Sequence, residues 1–291
     1  MTRVGEPRRT GPEGLLLIDK PQGVTSHDVV DAVRRALGTR KVGHAGTLDP
    51  MATGLLLVGV GRATRLLRFL GDLPKTYEGT GVLGVETTTL DADGEVTHTS
   101  PVTATREQLE TAAAALVGES LQRPPAFSAV KVGGRKLYEA ARRGETLEAA
   151  PRPIRVDAFQ IVNLEGPTFG FVVTCSGGTY VRVLVADVGT ALGCGAHLSQ
   201  LRRTAIGPFR VAHAAPPSDP GPPIPLERAV AHLPRVVLEE PDEARAAANG
   251  SILSPAGIEG PYAVHSPDGR LIGIWRDVGA KAKPEMVLAT G

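Results

Sequence analysis

Residues 214–225, AAPPSDPGPPIP, carry six prolines in twelve positions. Each proline fixes φ and lacks a backbone donor, so the stretch predicts neither helix nor ladder pairing, only an extended and exposed linker. It divides the 291-residue chain into a tail over 1–13, a body over 14–213 and a smaller unit over 226–291. Neither part has a repeat of solenoid type.

The body alternates strands and helices irregularly. GLLLID reads as a buried strand, after which Thr25 or Ser26 can cap a helix carrying Val29, Val30, Val33 and Leu37, closed by Gly38. GLLLVGVG reads as a second buried strand, followed by a short helix over 64–70. KTYEGTGVLGVETTTLDADGEV alternates as strands do, with DADGE turning into a further one. TREQLETAAAALVGE (105–119) predicts a helix capped by Thr105, with Leu109, Ala112, Ala113 and Leu116 on one face. IRVDAFQIVNLEGPTFGFVVTC predicts two antiparallel strands, and Val181, Leu184, Val185, Val188 and Leu192 repeat with helical period. No βαβ unit recurs, which predicts an α+β fold with a mixed, largely antiparallel sheet. In the last part, DEARAAANG predicts a short helix, YAVHSPDGRLIGIWR a hairpin and PEMVLAT a final strand, so this unit is small and β-rich.

Apolar residues make up 42% of the chain, charged residues 22%, and the formal net charge is +1. No global field advertises an anionic partner, which would have to be met by local patches. VKVGGRKLYEAARRGE clusters Lys131, Arg135, Lys136, Arg142 and Arg143. GRATRLLRFLGDLPK adds Arg62, Arg65, Arg68 and Lys75, and QLRRTAIGPFR adds Arg202, Arg203 and Arg210. Each cluster alone reads as solvated charge; three beside Gly- and Pro-rich loops predict a basic face that binds phosphates. Apolar runs such as LLLVGV fall far short of the ~18 residues of a membrane span. The N-terminus lacks a secretory signal, and Cys175 and Cys194 are too sparse for a disulfide framework, so a cytoplasmic location is expected.

Phosphate-loop, dinucleotide, HExxH and GxSxG motifs are absent, and no His/Cys spacing is of metal-ligand type. No cofactor is therefore expected, and chemistry falls to a side-chain acid, base or nucleophile. GHAGTLDPMATG puts Asp49 in a tight turn directly before a buried strand. On these residues alone it is either the first position of an Asp-Pro turn or a rigidly held active-site carboxylate. His44 alone reads as a local hydrogen-bonder and Tyr77 as strand packing. Arg182, at a predicted helix start, is unfavourably placed for the helix dipole and calls for a carboxylate partner.

Five ordered stretches resemble the bacterial tRNA pseudouridine synthase B family: GLLLIDKPQGVTSHDVV, KVGHAGTLDPMATGLLLVGVGRATR, KTYEGTGVLGVETTTLDADG, RPPAFSAVKVGGRKLYEAARRGE and GGTYVRVLVADVGTALGCGAHLSQLRRTAIGPF. Phe127 stands where the family usually has Tyr, and SGGTY replaces SKGTY. The resemblance implies a pseudouridine-synthase fold with a C-terminal PUA-like module. It also implies cofactor-free isomerisation of uridine 55 in the tRNA T-loop: the N1–C1′ bond breaks, the base turns and C5 joins C1′, after base flipping. Asp49 is then the catalytic carboxylate, as nucleophile or base at the ribose, with Arg182 its ionic partner. Tyr77 stacks on the target base and takes the C5 proton. The same resemblance gives His44 the space left by the flipped nucleotide, Leu201 an apolar pocket wall, and Lys20 and Lys131 pocket or phosphate contacts. The basic clusters add Arg142, Arg143 and Arg202 to the expected RNA-binding side, with 124–146 an RNA-binding insertion. The implied partner is the tRNA T-stem-loop, bound by a monomer without a guide-RNA particle or a membrane; assistance to tRNA folding is compatible with the same residues.

Overall fold

The structure is a computed structural model that describes residues 11–128, 130–141, 143–145 and 147–288. Residues 1–10 of the expected tail lie outside the described residues, as does Arg142.

Among the described residues the body is built on a nine-stranded sheet. Across it run Gly14–Lys20, Thr53–Val60, Ala196–Ile206, Lys75–Leu83, Thr168–Cys175, Arg152–Glu165 and Gly118–Gln122. Val42–Ala45 pairs with Thr53–Val60, and Phe209–Arg210 with Ala196–Ile206. All pairings are antiparallel except one short parallel contact, where Arg202 and Arg203 face Thr53 and Gly54. Gly54 has φ +100°, and a Cβ there would collide with the Arg203 carbonyl, so only glycine lets these two backbones meet.

Local chemistry accounts for the helices that frame the site. Thr25 caps Ser26–Leu37: its hydroxyl accepts from Asp28 N at 3.1 Å while the Asp28 carboxylate accepts from Thr25 N at 2.8 Å, and Gly38 closes the helix in the left-handed region. That leaves the Ser26 hydroxyl free for another task. Val181–Ala191 lays Val181, Leu184, Val185 and Val188 against the inward residues of the central strands, including Tyr77, Phe171 and Val173.

Two expectations need correction, and one strand has no counterpart among them. The 105–119 helix stops at Ala114, and Gly118–Gln122 is an edge strand instead; Gly118 has φ +117°, which a helix cannot continue through. Ala196–Ile206, a central strand, was not foreseen at all, because its adjacent arginines read as surface charge. The 214–225 stretch pairs with the sheet. Ile224 N donates to Leu15 O at 2.7 Å and Ala215 N to Leu17 O at 2.9 Å, each bond being returned by the first strand. Both residues are non-proline positions, so they keep the donors that the prolines lack, and they cover the outer edge of Gly14–Lys20.

Beyond that stretch, Arg235–Val237, Pro261–His265, Leu271–Val278 and Lys281–Val287 form a four-stranded sheet. One of its faces is closed by the helix Pro241–Ala248, through Ala244 and Ala247 against Tyr262 and Trp275. The other shares a core with the body: Ala263, Ile274, Met286 and Leu288 pack in one cluster with Leu15, Leu57, Leu66 and Leu70. Among the described residues, no helix is long and apolar enough to cross a membrane.

Candidate active site

A cavity of 340 Å³ opens beside the central strands, with Asp49, Tyr77, Arg182 and Leu201 in its walls. The segment bearing Asp49 has no regular secondary structure, yet its backbone is held by six hydrogen bonds. The Ser26 hydroxyl accepts from Leu48 N at 2.9 Å and donates to Leu48 O at 3.2 Å. The Lys20 ammonium donates to Pro50 O at 3.2 Å and Ala52 O at 2.6 Å. Ala52 N closes a turn onto Asp49 O, and Arg203 Nη2 donates to Gly46 O at 2.8 Å. Peptide groups on both sides of the carboxylate are thus fixed by buried side chains from other elements, which is what preorganisation of a reacting group requires.

Arg182 is 4% exposed. Its Nη2 lies 3.2 Å from Asp49 Oδ2 and its Nη1 3.6 Å from Asp91 Oδ2. It also donates to Thr89 O at 3.1 Å and Phe127 O at 2.8 Å. A cation in the first turn of a helix opposes the dipole, and the two carboxylates offset that cost. Asp91 is itself buried and accepts from Thr89 Oγ1 and Asp93 N. Leu90 between them has φ +63°, alone among the described non-glycine residues; this turns the Thr89 carbonyl and the Asp91 carboxylate toward the same guanidinium. Burial pushes the Asp49 carboxyl above its ordinary value, Arg182 opposes the rise and Asp91 adds to it. The Asp49 side chain nevertheless keeps 40% of its surface exposed, so a substrate can reach it.

Tyr77 is buried in the strand Lys75–Leu83, and its register partner on the next strand is Arg203. Strand alternation puts Lys75, Tyr77, Leu201 and Arg203 on the pocket side of the sheet and Glu78 and Arg202 on the other. Burial raises the Tyr77 hydroxyl above its ordinary value, against the pull of Arg203.

The remaining expected residues divide. His44 lies half-buried in Val42–Ala45 with an unpartnered Nδ1, and burial, with Arg203 nearby, lowers its basicity. Lys20 is fully buried and its three donors go to carbonyls, so it anchors the Asp49 segment and presents no charge to a phosphate. Arg202 makes a bidentate pair with Asp19, at 3.0 and 2.7 Å, on the sheet face away from the cavity. Lys131 and Arg143 are exposed on the 124–146 insertion, outside the cavity wall. The expected basic face also loses members: Arg62 pairs with Glu13, and Arg65 and Arg68 donate to Val287 O and Glu285 O of the C-terminal sheet. Sequence reasoning missed Ser26, Lys75, Asp91 and Arg203. Asp91 opens the DADG turn, where an aspartate ordinarily reads as solvated; its burial is visible only in the structure.

Comparison with known proteins agrees with this layout. The profile of the TruB family pseudouridylate synthase (N terminal domain) matches residues 34–181. The tRNA pseudouridylate synthase B C-terminal domain matches 182–216, and tRNA Pseudouridine synthase II, C terminal, matches 234–289. The chain is 48% identical over 286 residues to the tRNA pseudouridine synthase B of Mycobacterium sp. (strain KMS), covering 94% of this chain and 96% of that one. It is 44% identical over 289 residues to the protein of that name from Thermobifida fusca (strain YX), covering 95% and 99%. Among solved structures, the archaeal box H/ACA sRNP Nop10–Cbf5 complex aligns with a TM-score of 0.71 at 25% identity, over 94% of this chain and 86% of that one. With matched profiles along its length and relatives covering nearly all of it, the chain belongs to the TruB family of pseudouridylate synthases.

Proposed function

We propose that the protein isomerises uridine 55 in the T-loop of tRNA to pseudouridine, as a cytoplasmic, stand-alone monomer that needs no guide RNA. The observation that carries this reading is the Asp49–Arg182 contact in a nucleoside-sized cavity, with the Tyr77 ring in the same wall. The names of the relatives that cover nearly the whole chain support tRNA as the substrate.

The target nucleotide must leave its loop to enter the cavity. Asp49 then acts at the ribose, adding to C1′ or removing the C2′ proton, and either route breaks N1–C1′ with the electron pair staying on the uracil. The base turns and C5 bonds to C1′ as the Asp49–C1′ bond breaks or, in the other route, as Asp49 returns the proton to C2′; the proton lost from C5 is balanced by the one gained at N1. Tyr77 supports the ring by stacking and takes the C5 proton. Arg182 keeps Asp49 ionised against the effect of burial and fixes its orientation.

The test is tritium release from tRNA labelled at uracil C5, comparing wild type with Asp49→Asn. Wild type is expected to release label mapped to uridine 55. The variant should lose about 10⁴-fold or more in rate while binding tRNA within a few-fold, because phosphate contacts dominate affinity. Equal release by both proteins would remove Asp49 from the mechanism. Binding without release by wild type would favour a tRNA-folding helper.

A further inference from the structure

Two cations in the cavity wall take no part in the scheme above. Lys75 is 4% exposed and Arg203 is wholly buried. Among the described residues, neither has a carboxylate within ion-pair distance; both are satisfied by backbone carbonyls. Lys75 Nζ donates to Gly71 O at 2.7 Å and Leu73 O at 2.8 Å, which leaves one of its three N–H groups unassigned. Arg203 donates through Nε to Leu55 O at 2.7 Å and through Nη2 to Gly46 O at 2.8 Å, and its guanidinium lies beside Tyr77, 6.0 Å from the ring centroid and within reach of the hydroxyl. A Cβ placed on Gly46 would sit 3.3 Å from Lys75 Cε and 3.5 Å from Arg203 Nη1, so the two cations flank the same bare glycine three residues before Asp49.

Burying positive charge without a counter-charge is costly, and such sites are built where negative charge develops during a reaction. The proposed reaction supplies that charge. When N1–C1′ breaks, its electron pair remains on the uracil and spreads over N1, O2 and O4, whichever way Asp49 acts. A pyrimidine stacked on Tyr77 meets both cations, since Lys75 lies two residues before Tyr77 on the same strand face and Arg203 is its register partner.

We infer that Lys75 and Arg203 are catalytic residues that stabilise the departing uracil anion, holding it for return to C1′ through C5. This rests on the isomerase reading of the site. The anion gives up its charge when C5 bonds to C1′, and the cations return to their resting state with no proton exchanged.

The experiment compares uridine with 5-fluorouridine at position 55 of a T-stem-loop RNA, in single turnover, for wild type, Lys75→Met and Arg203→Lys, following consumption of the target nucleoside. Fluorine withdraws electrons and makes the uracil a better anion, so it substitutes for part of what the cations do. Lys75→Met is expected to slow uridine by about 100-fold but 5-fluorouridine by about 10-fold or less. Arg203→Lys, which keeps a charge, should show the same inequality in smaller measure. Each comparison is made within one protein, so partial loss of folded enzyme cancels from the ratio. Equal slowing of both substrates would overturn the inference and leave the two residues as supports of the loop. Absence of turnover by wild type would instead overturn the isomerase reading.

Discussion

The segment around Asp49 and the 124–146 insertion both lack extended regular structure, yet they are built in opposite ways. Around Asp49, Ser26, Lys20 and Arg203 reach in from three elements and bond the backbone on either side of the carboxylate. The insertion has a two-residue hairpin, Lys131–Val132 with Arg135–Lys136, and a short helix, Leu137–Ala141. Its Phe127 carbonyl accepts from Arg182 and its Leu137 and Ala140 are buried, while it presents Lys131 and Arg143 to solvent. One loop is fixed by cations turned inward, while the other offers cations outward. Chemistry needs the first arrangement, and engagement of a polyanion is served by the second.

Removing the cation closest to the chemistry should break the comparison most severely. Arg182→Met is expected to lower the isomerisation rate by about 10³-fold with little change in RNA affinity, measured by single turnover and filter binding. Because Arg182 holds the Asp49 carboxyl down, the acid limb of any residual pH–rate profile should move to higher pH. An unchanged limb would mean that the two groups are not coupled.

Next in size is Lys20→Met, which takes a donor from three carbonyls, of which Pro50 O keeps Gly23 N, and should cost about 2–4 kcal/mol in urea unfolding. Its pH signature has a defined sign. Burial pushes both the Lys20 and the Lys75 ammonium down to about 8, so between pH 8 and 10.5 the unfolded chain binds more protons than the folded one. The contribution of these lysines to stability therefore rises across that window, by up to about 3 kcal/mol each, and Lys20→Met should flatten the rise. A steeper rise in the variant would refute the assignment.

Ser26→Ala removes a hydroxyl that serves both the N–H and the C=O of Leu48. It should cost about 1–2 kcal/mol and slow turnover about tenfold without altering affinity. Smallest is Lys131→Ala with Arg143→Ala, expected to weaken RNA binding a few-fold, reduce its salt dependence, and leave stability within about 0.5 kcal/mol. A loss of turnover at saturating RNA would show that the insertion does more than bind.

What could be read in advance follows the same division. The helix Val181–Ala191 was legible from its unbroken apolar period, and the hairpin over 152–175 from strand alternation that survives two register shifts, between Val156 and Ala158 and between Ile161 and Asn163. Asp49, Tyr77 and Arg182 were legible only through the family motifs; the residues themselves left the Asp49 turn ambiguous. Arg202 and Arg203 defeated composition. They are adjacent and chemically identical, yet one pairs with Asp19 on one face of the sheet and the other is wholly buried on the opposite face, bonded to carbonyls. Which face a charge occupies depends on strand register, and register is not written in charge. Arg65 and Arg68 misled in the same way, because their partners are carbonyls more than 200 residues along the chain.

The pairing of Ala215 and Ile224 with the first strand also bears on how the molecule is made. The residues that cover the outer edge of Gly14–Lys20 leave the ribosome about 200 residues after it. At about 5–20 residues per second, that apolar strand waits on the order of ten to forty seconds with an open edge. During synthesis one edge of this strand therefore stays open to mispairing until residues 215 and 224 arrive to cover it.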